Sequence, residues 1–598
     1  MAEYEQHDYD VIVIGAGGAG LRAAIEASAM GARTALICKS LLGKAHTVMA
    51  EGGIAAALGN IYPEDNWQVH FRDTMRGGKM LNNWRMAQLH AQEAPARVLE
   101  LEQWGALFDR TQDGRILQRD FGGHRYARLA HVGDRTGLEM IRTLQQHAVH
   151  RGIDVFMECT ISRLLKDGDR ISGAVGYWRE SGKLVVFATK AVVLATGGVG
   201  KAFKITSNSW EYTGDGHSLA YWAGADLIDM ECVQFHPTGM IWPPSVRGLL
   251  VTEGVRGDGG TLRNASGERF MFRYIPDFFK AETADTEEEA DRWYDDKTAR
   301  RTPDLLPRDE VARAINSEVK AGRGTPHGGA YLDIATRRTP EYIKRRLPSM
   351  YHQFKQLADV DITTTQMEIG PTAHYIMGGI RVYADSAAST VPGLFAAGEC
   401  AGGMHGANRL GGNSLSDLVV FGRRAGAGAA EYAQKLSTTL KLDSEGIDST
   451  ATDMLAHFER DGGENPYTVQ RDLQETMHTL VGIIRNQDEL DQALAKIGEY
   501  RERSLHTGVE GHRQYNPGWH LAMDLRSLLT VSEAITKAAS TRKESRGGHT
   551  RDDFPDPDPE WGKVNVVVRQ GKDGQMEVTS EPLPQMPAEL QQLFQEAH

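Results

Sequence analysis

Cysteine is nearly absent from this chain of 598 residues. The four that occur, Cys38, Cys159, Cys232 and Cys400, include no Cys-x-x-Cys pair. Such sparse thiols are typical of a protein kept under reducing conditions, and iron–sulfur clusters are usually held by closely spaced cysteines. The sequence therefore excludes a cluster held by cysteines of this chain alone, and it predicts no metal site.

Long apolar runs and an excess of basic charge are also missing. No stretch of about 18 apolar residues occurs, and the first residues lack the basic and apolar regions of a signal peptide, so we expect neither a membrane span nor export by that route. Asp and Glu outnumber Lys and Arg by 80 to 67, which gives a net charge of -13. This balance argues against nucleic acid as a partner.

The remaining composition is that of a folded protein with many tight turns. Hydrophobic residues make up 40% and charged residues 25% of the chain, and the length suggests about four domain-sized units. Glycine is abundant, with 65 residues against 21 prolines, and has no three-residue period. Phosphate-binding glycine loops are therefore expected.

Such a loop stands near the start of the chain. Tyr9 to Ile14 is predicted to be a buried strand, and Leu21 to Met30 a helix, with Gly15-Ala16-Gly17-Gly18-Ala19-Gly20 between them. The three spaced glycines allow a tight turn, a close approach by a pyrophosphate and close helix packing, so a dinucleotide is predicted to bind here. The second strand ends at Cys38-Lys39-Ser40 without the ribose-binding acid, which disfavours a plain NAD enzyme.

Later segments indicate an interrupted domain followed by helices. The short apolar strands Ala191 to Thr196 and Gly393 to Ala397 both end close to glycine although they lie far apart in the chain. After about residue 435 the apolar residues recur at helical spacing. The Pro-rich run Phe554 to Pro559 is predicted to be a linker, and Val564 to Arg569 and Met576 to Ser580 are predicted to pair as a hairpin.

Several rarer strings occur in one order along the chain. They are Ala45-His46-Thr47-Val48-Met49-Ala50-Glu51-Gly52-Gly53, Ala195-Thr196-Gly197-Gly198, Thr213-Gly214-Asp215-Gly216, Gln234-Phe235-His236-Pro237-Thr238-Gly239, Val251-Thr252-Glu253-Gly254, His374-Tyr375-Ile376-Met377-Gly378-Gly379, His405 to Ser414, and Glu544 to His549. Over nearly its whole length the chain thereby resembles the flavoprotein subunit of succinate dehydrogenase and fumarate reductase.

The resemblance implies an α/β fold. A Rossmann-like FAD-binding domain is interrupted by an α+β capping domain and followed by a helical domain and a small C-terminal β domain. The expected ranges are 1–235 and 366–435 for the FAD-binding domain, 236–365 for the capping domain, 436–547 for the helical domain and 548–598 for the C-terminal domain.

The resemblance also implies FAD attached covalently through His46. Glu399 is a candidate for the ribose acid that is missing after the second strand, and Asp215 and Ser414 match positions that contact the cofactor. The full set of implied cofactor residues is Gly15, Ala16, Gly17, Gly18, Ala19, Gly20, Lys39, Ser40, His46, Thr47, Ala50, Glu51, Gly52, Gly53, Asp215, Glu399, Ser414 and Leu415.

A C4 dicarboxylate is the implied substrate. It is a dianion, so its site needs cations and hydrogen-bond donors at both ends, and Arg suits a planar carboxylate. The implied ligands are His236, Thr252, His374 and Arg409.

Arg308 resembles the residue that exchanges a proton with the substrate carbon. Arginine ordinarily stays protonated. The family mechanism resolves this conflict by passing the proton on through Glu253 and Arg256, so that a neutral guanidine does not accumulate.

The chain departs from the family pattern at three places. Glu51 replaces the usual glutamine beside the flavin, and an ionised Glu51 is expected to lower the flavin potential. A Glu51 kept protonated by burial would instead donate a hydrogen bond much as glutamine does, and a Glu51 turned toward a nearby lysine or arginine would have no such effect. Lys44-Ala45 replaces Arg-Ser before His46. An insertion lies within Ile275 to Leu306, and its acidic cluster between Lys280 and Asp296 is predicted to be a solvated surface excursion.

These features predict the catalytic flavoprotein subunit of succinate dehydrogenase, an enzyme of the tricarboxylic acid cycle and respiratory complex II. Electrons would pass to an iron–sulfur subunit and then, through membrane anchor subunits, to a quinone at the cytoplasmic face of the inner (cell) membrane. The alternatives are a fumarate reductase working in reverse, an L-aspartate oxidase, which lacks the covalent link, and a non-catalytic electron-transfer flavoprotein, which would be expected to lose dicarboxylate ligands.

Overall fold

The computed structural model describes residues 3–296, 298–460 and 462–595. Its strands are β1 (Tyr4–Ile14), β2 (Thr34–Ile37), β3 (Ile54–Ala55), β4 (Gln118–Arg119), β5 (Leu129–Ala130), β6 (Asp154–Phe156), β7 (Cys159–Asp167), β8 (Arg170–Trp178), β9 (Leu184–Leu194), β10 (Leu227–Ile228), β11 (Val233–Met240), β12 (Thr261–Arg263), β13 (Ala330–Asp333), β14 (Met367–Ile376), β15 (Gly379–Ile380), β16 (Leu394–Ala396), β17 (Val564–Gln570) and β18 (Met576–Pro582). Its α-helices are α1 (Gly18–Ala29), α2 (Trp67–Gly77), α3 (Trp84–Gln103), α4 (Thr136–His150), α5 (Asp215–Ala223), α6 (Gly254–Gly257), α7 (Glu287–Arg292), α8 (Arg308–Lys320), α9 (Pro340–Arg346), α10 (Pro348–Ala358), α11 (Asn413–Lys435), α12 (Ser444–Leu455), α13 (Pro466–Leu480), α14 (Gln487–Leu505), α15 (Pro517–Thr541) and α16 (Ala588–Gln592).

The largest sheet has seven strands. Its order is β6-β2-β1-β9-β8-β7, and β16 pairs with the carboxyl-terminal end of β9. Strands β1, β2, β6, β9 and β16 pair in parallel, whereas β8 is antiparallel to β7 and β9. Parallel strands are covered on both faces, and Val11, Ile12 and Val13 of β1 are accordingly fully buried. This sheet confirms the predicted Rossmann-like core.

Helices α1 and α11 lie against each other and against this sheet. Glycines on α11 allow the close approach: a Cβ on Gly422 would lie 2.6 Å from the carbonyl oxygen of Ala19, and one on Gly426 would lie 2.2 Å from that of Ala23. The first turns of both helices thereby border the same cavity, which Gly18 and Ser414 line.

A second sheet belongs to the capping region. It is antiparallel, in the order β11-β14-β13-β12, and runs from Val233 to Ile376, so it extends beyond both ends of the range 236–365 expected for the capping domain. Its buried side chains, among them Leu262, Leu332 and Ile369, form a core distinct from that of the large sheet. Helix α8 packs on β11 and β14, and this packing places Arg308 at the boundary between the two regions.

The carboxyl-terminal part of the chain packs on the region of the large sheet. Val469 of α13 and Leu525 of α15 lie in the same core as β1 and β9. The predicted hairpin is confirmed as β17 and β18, but it joins a sheet of order β15-β10-β17-β18 with strands from 227–228 and 379–380. Within the described residues no helix is long and apolar enough to cross a membrane.

Candidate active site

The glycine turn after β1 has the geometry that a pyrophosphate needs. Gly15 has a φ of +111°, and a Cβ there would lie 2.1 Å from the carbonyl oxygen of Ala195. A Cβ on Gly20 would lie 1.7 Å from the carbonyl oxygen of Gly15, so the helix packs directly on the turn. Gly17 has no side chain to cap α1, and the N–H of Gly18 donates only a long hydrogen bond, of 3.4 Å, to Thr47 Oγ1, so an anion can still approach the start of the helix.

One continuous cavity runs from this turn to Arg308. All of the implied cofactor residues except Gly20 line it, and so do the implied substrate residues and Glu253. Gly20 lies behind the turn, and Arg256 lies behind Glu253, fully buried. The structure therefore brings together residues that stand far apart in the sequence, in the arrangement that an extended cofactor next to a small substrate requires.

Lys39 lies at one end of the cavity, held by two carboxylates. Its Nζ is 2.9 Å from Asp215 Oδ2 and 2.6 Å from Asp524 Oδ1. Burial alone would lower the pKa of Lys39, but Asp215 and Asp524 outweigh it and raise that pKa. Burial raises the pKa of Asp524 to about 6. Asp524 belongs to α15, and no motif in the sequence pointed to it.

Glu399 is buried beneath Gly198 near the middle of the cavity. A Cβ on Gly198 would lie 2.2 Å from Glu399 Oε1, which accepts a hydrogen bond from the N–H of Ile376 at 3.1 Å. Burial raises the pKa of Glu399 to about 8. A carboxyl group in this state can both accept and donate a hydrogen bond, as a ribose hydroxyl would require, and the ribose contact stays a prediction.

His46 begins a short 3₁₀ turn, His46–Met49, that borders the cavity. Its ring lies 4.9 Å from that of Tyr212, and its Nε2 is 3.5 Å from Asn208 Nδ2. Burial lowers the pKa of His46 to about 4, so the imidazole is neutral. Its Nδ1 is buried and has no hydrogen-bond partner among the residues described. Tyr212 and Asn208 were not predicted to be site residues, because neither belongs to any of the quoted strings.

Glu51 lies in the cavity beside Thr252. Arg119 holds its backbone, donating hydrogen bonds to the carbonyl oxygens of Glu51 and Gly52 at 2.5 and 2.6 Å. Burial, assisted by Asp134, raises the pKa of Glu51 to about 8, although Arg119 and Thr252 oppose this shift. This raised pKa favours a protonated Glu51 at neutral pH over the ionised form, and a protonated carboxyl group can donate a hydrogen bond much as glutamine does.

A prediction follows for the pH dependence of the flavin potential. Because the raised pKa keeps Glu51 protonated below about pH 8, Glu51→Gln should leave the potential of the bound flavin unchanged at pH 6. At pH 9 the ionised wild-type carboxylate should disfavour electron uptake, so the wild-type potential should fall below that of the variant. Redox titration between pH 6 and 9 measures both. If the difference in flavin potential between the wild type and Glu51→Gln is the same at pH 6 and at pH 9, the protonated state of Glu51 is contradicted.

The histidines and arginines of the implied substrate site converge at the other end of the cavity. The rings of His236 and His374 are 5.1 Å apart, and the Nδ1 of His374 is 2.7 Å from Ser207 Oγ. Burial, reinforced by nearby cationic or imidazole groups, holds the pKa of both histidines well below the usual value, so both are neutral. Arg409 supplies positive charge: burial lowers its pKa only to about 10.

Gln234 connects the two arginines. Its Oε1 accepts hydrogen bonds from Arg409 Nη2 at 3.0 Å and from Arg308 Nη1 at 3.5 Å. Its Nε2 donates to Asn408 Oδ1 at 2.7 Å and to the carbonyl oxygen of Arg409 at 2.8 Å. Gln234 lies in one of the quoted strings but was not named as a site residue; its position two residues before His236 on β11 was the available signal.

Glu253 links Arg308 to Arg256. Arg308 Nε donates to Glu253 Oε2 at 3.1 Å, and Arg256 Nη2 lies 3.9 Å from the same oxygen. Glu253 Oε1 accepts the N–H of Gly122 at 3.1 Å. Burial would raise the pKa of Glu253, but Arg308 and Arg256 outweigh it and the pKa is lowered. Two guanidiniums therefore flank one buried carboxylate, which is hydrogen-bonded to Arg308 and within ion-pair distance of Arg256.

The residues present fit FAD on two structural grounds. Glycines at the turn let a pyrophosphate approach the backbone at the start of α1, and Nδ1 of His46 and Nε of Arg409 are buried at the cavity without partners in the part of the chain described. The fold and this cavity together define an FAD-dependent oxidoreductase.

Comparisons with known proteins support the assignment to the FAD-dependent oxidoreductases. Residues 10–415 match the family model of an FAD binding domain, and residues 470–593 match that of the fumarate reductase flavoprotein C-terminus. The chain belongs to the family of succinate dehydrogenase and fumarate reductase flavoprotein subunits.

Three relatives illustrate the similarity. The chain is 42% identical to a fumarate reductase (CoM/CoB) subunit from Methanothermobacter marburgensis, over 95% of this chain and 98% of the relative. It is 38% identical to the succinate dehydrogenase flavoprotein subunit of Coxiella burnetii, over 96% of each. Among solved structures, Mycobacterium smegmatis Sdh1 in complex with UQ1 is 59% identical with a TM-score of 0.86, over 98% of this chain and 95% of that one.

Proposed function

We propose that this chain is the catalytic flavoprotein subunit of a succinate dehydrogenase, which converts succinate to fumarate. The observation that carries the proposal is the cavity end where Arg308 and Arg409 share Gln234 and face His236 and His374. Paired guanidiniums and imidazoles complement a dicarboxylate, which carries a negative charge at each end.

The conversion removes one hydride and one proton from adjacent carbons of succinate. FAD supplies the hydride acceptor when it is bound. Arg409, His236, His374 and Thr252 hold the two carboxylates, so that the reacting carbons cannot turn away from the cofactor cavity. Arg308 gives a guanidinium proton to Glu253, to which it already donates a hydrogen bond at 3.1 Å, as it takes the proton from the substrate carbon, so its guanidinium is restored. Glu253 then gives up its proton toward Arg256, which passes one of its own protons on and is left unchanged.

The reverse reaction uses the same residues, and fumarate reductase is the second candidate. The 42% identity to the Methanothermobacter fumarate reductase subunit supports this second candidate. An L-aspartate oxidase and a non-catalytic electron-transfer flavoprotein fit less well. The chain has His46 at the position of the covalent link, and L-aspartate oxidase lacks that link. All four implied dicarboxylate ligands line the cavity, whereas a non-catalytic flavoprotein would be expected to lose some of them.

Reoxidation of the cofactor calls for partner chains. The four cysteines of this chain are buried, and they include no Cys-x-x-Cys pair that would suit a cluster. We therefore assign electron transfer to an iron–sulfur subunit, with a membrane anchor and a quinone beyond it, and place the chain peripherally at the cytoplasmic face of the cell membrane. The complex of Mycobacterium smegmatis Sdh1 with UQ1 supports this assignment.

Steady-state assays on the purified chain separate the candidates. Succinate should reduce an artificial dye, fumarate should oxidise a reduced viologen, and L-aspartate should do neither. The ratio of the first two rates reports which direction the site favours. Dye reduction by L-aspartate, or no reaction with either dicarboxylate in protein that retains its flavin, contradicts the proposal.

A further inference from the structure

A turn of residues 121–124 contacts the two residues at which the proposed proton transfer begins. Phe121 lines the cavity, and the centre of its ring lies 5.9 Å from the guanidinium carbon of Arg308. The N–H of Gly122 donates a hydrogen bond to Glu253 Oε1 at 3.1 Å. The first half of the turn therefore lies against both Arg308 and Glu253.

The second half of the turn is joined to the loop that carries Arg409. His124 Nε2 lies 2.7 Å from the carbonyl oxygen of Gly411, two residues after this arginine. The loop and the turn are also in close contact, since a Cβ on Gly411 would lie 2.3 Å from a ring carbon of Phe121 and 3.3 Å from Nη2 of Arg308. The turn thus connects the loop of Arg409 to Arg308.

The hydrogen bonds of His124 determine which of its ring nitrogens carries the proton. Burial, reinforced by Arg128, lowers the pKa of His124 to about 3, so the ring is neutral. A carbonyl oxygen only accepts, so the proton is on Nε2, and Nδ1 accepts from Arg128 Nη1 at 3.3 Å. Arg128 is itself fully buried and pairs with Asp65 at 2.8 Å and with Asp73 at 2.9 Å. The imidazole is therefore held from both sides, with its N–H directed at Gly411.

We propose that His124 is a positioning residue of the substrate site, which fixes the loop of Arg409 relative to Arg308 and Glu253. It lies outside the cavity lining and acts through the carbonyl oxygen of Gly411. The proposal rests on the function proposed above, since it assigns a task in that reaction.

The physical reason is that the two substrate arginines come from different parts of the chain. Arg308 begins α8 of the capping region, whereas Arg409 lies in the loop before α11, so no single element sets the distance between them. A misplacement of about 1 Å in a site of this kind can cost about 10²-fold in rate. Loss of the hydrogen bond to Gly411 should therefore slow the reaction although no reacting group is removed.

The experiment compares four variants of the flavin-loaded protein with the wild type. His124→Leu and His124→Ala both remove the donor, so that the second serves if the first fails to fold. His124→Gln keeps a donor, because the side-chain amide nitrogen of glutamine can reach the place of Nε2. Arg125→Gln is the matched control: it changes an exposed neighbouring side chain and keeps the backbone N–H that donates to Asp73.

Four quantities are measured for each protein. They are kcat and KM for succinate oxidation, the Kd of malonate, flavin content and the melting temperature. Malonate is a dicarboxylate with a single methylene group, so it can bind to the arginines but cannot be oxidised to an alkene. Its binding is followed by the change in flavin absorbance.

The two donor-free variants should lose about 10- to 10²-fold in kcat and bind malonate more weakly at unchanged flavin content. His124→Gln and Arg125→Gln should match the wild type in both quantities. Unchanged kcat and malonate Kd in a donor-free variant overturn the inference, as does an equal loss in His124→Gln, which would follow from side-chain shape and not from the hydrogen bond. Wild-type protein that binds malonate but never oxidises succinate overturns instead the proposed function, and the malonate Kd values then decide this inference alone.

Discussion

Replacing Arg308 with alanine should lower succinate oxidation and fumarate reduction by at least about 10² to 10⁴-fold while FAD stays bound. A general acid or base typically contributes a factor of this size. In this structure the guanidinium is also one of two that meet at Gln234, so dicarboxylate binding should weaken too. Steady-state kinetics normalised to flavin content provide the measurement.

Two further variants sharpen the test. Arg308→Lys keeps the charge but lacks the planar fork that reaches Glu253 and Gln234 together, so it should not restore full activity. Lys320→Ala, at the exposed end of the same helix, should behave as the wild type. Activity of Arg308→Ala within tenfold of the wild type would remove Arg308 from the proton step.

Replacing His46 with serine should remove the covalent link to the flavin, while FAD stays bound in the folded protein. The wild-type protein should keep its flavin through acid precipitation and show a fluorescent band on a denaturing gel, whereas the variant should lose the flavin on denaturation. The neutral imidazole, whose Nδ1 is buried without a hydrogen-bond partner among the residues that the structure describes, is the structural basis for this expectation. His150→Ser, an exposed site at the end of α4, is the matched control.

The direction of the kinetic change is also specified. The resemblance to the family implies that a covalent link raises the flavin potential, so His46→Ser should lose succinate oxidation far more than fumarate reduction. Wild-type protein that gives up all its flavin on denaturation contradicts the covalent link. Equal loss in both directions contradicts its effect on the potential.

Much of the site follows from strings in the sequence because those strings lie at element ends. The glycine turn stands between β1 and α1, Arg308 begins α8, and Ser414 lies in the first turn of α11. Side chains at such ends meet at the edge of an open sheet, where ligands bind. The residue types therefore indicated the chemistry, and the fold brought them to one cavity.

Other parts depended on distant packing and could not be predicted. Asp524 reaches Lys39 from a helix 485 positions along the chain, with no motif around it. The C-terminal hairpin pairs with short strands near 227 and 380, although its own sequence shows only that it is a hairpin. The protonation state of Glu51 depends on how deeply the folded protein buries it, and the sequence around Glu51 does not show this.

Anaerobic addition of succinate to the purified flavin-loaded chain, alone and without partner subunits, tests the central claim most directly. The visible absorbance of the flavin should bleach with succinate and recover on addition of fumarate, and Arg308→Ala with equal flavin content should bleach at least about 10²-fold more slowly. Absence of bleaching by succinate in the wild type, or bleaching at the same rate in Arg308→Ala, would contradict the account.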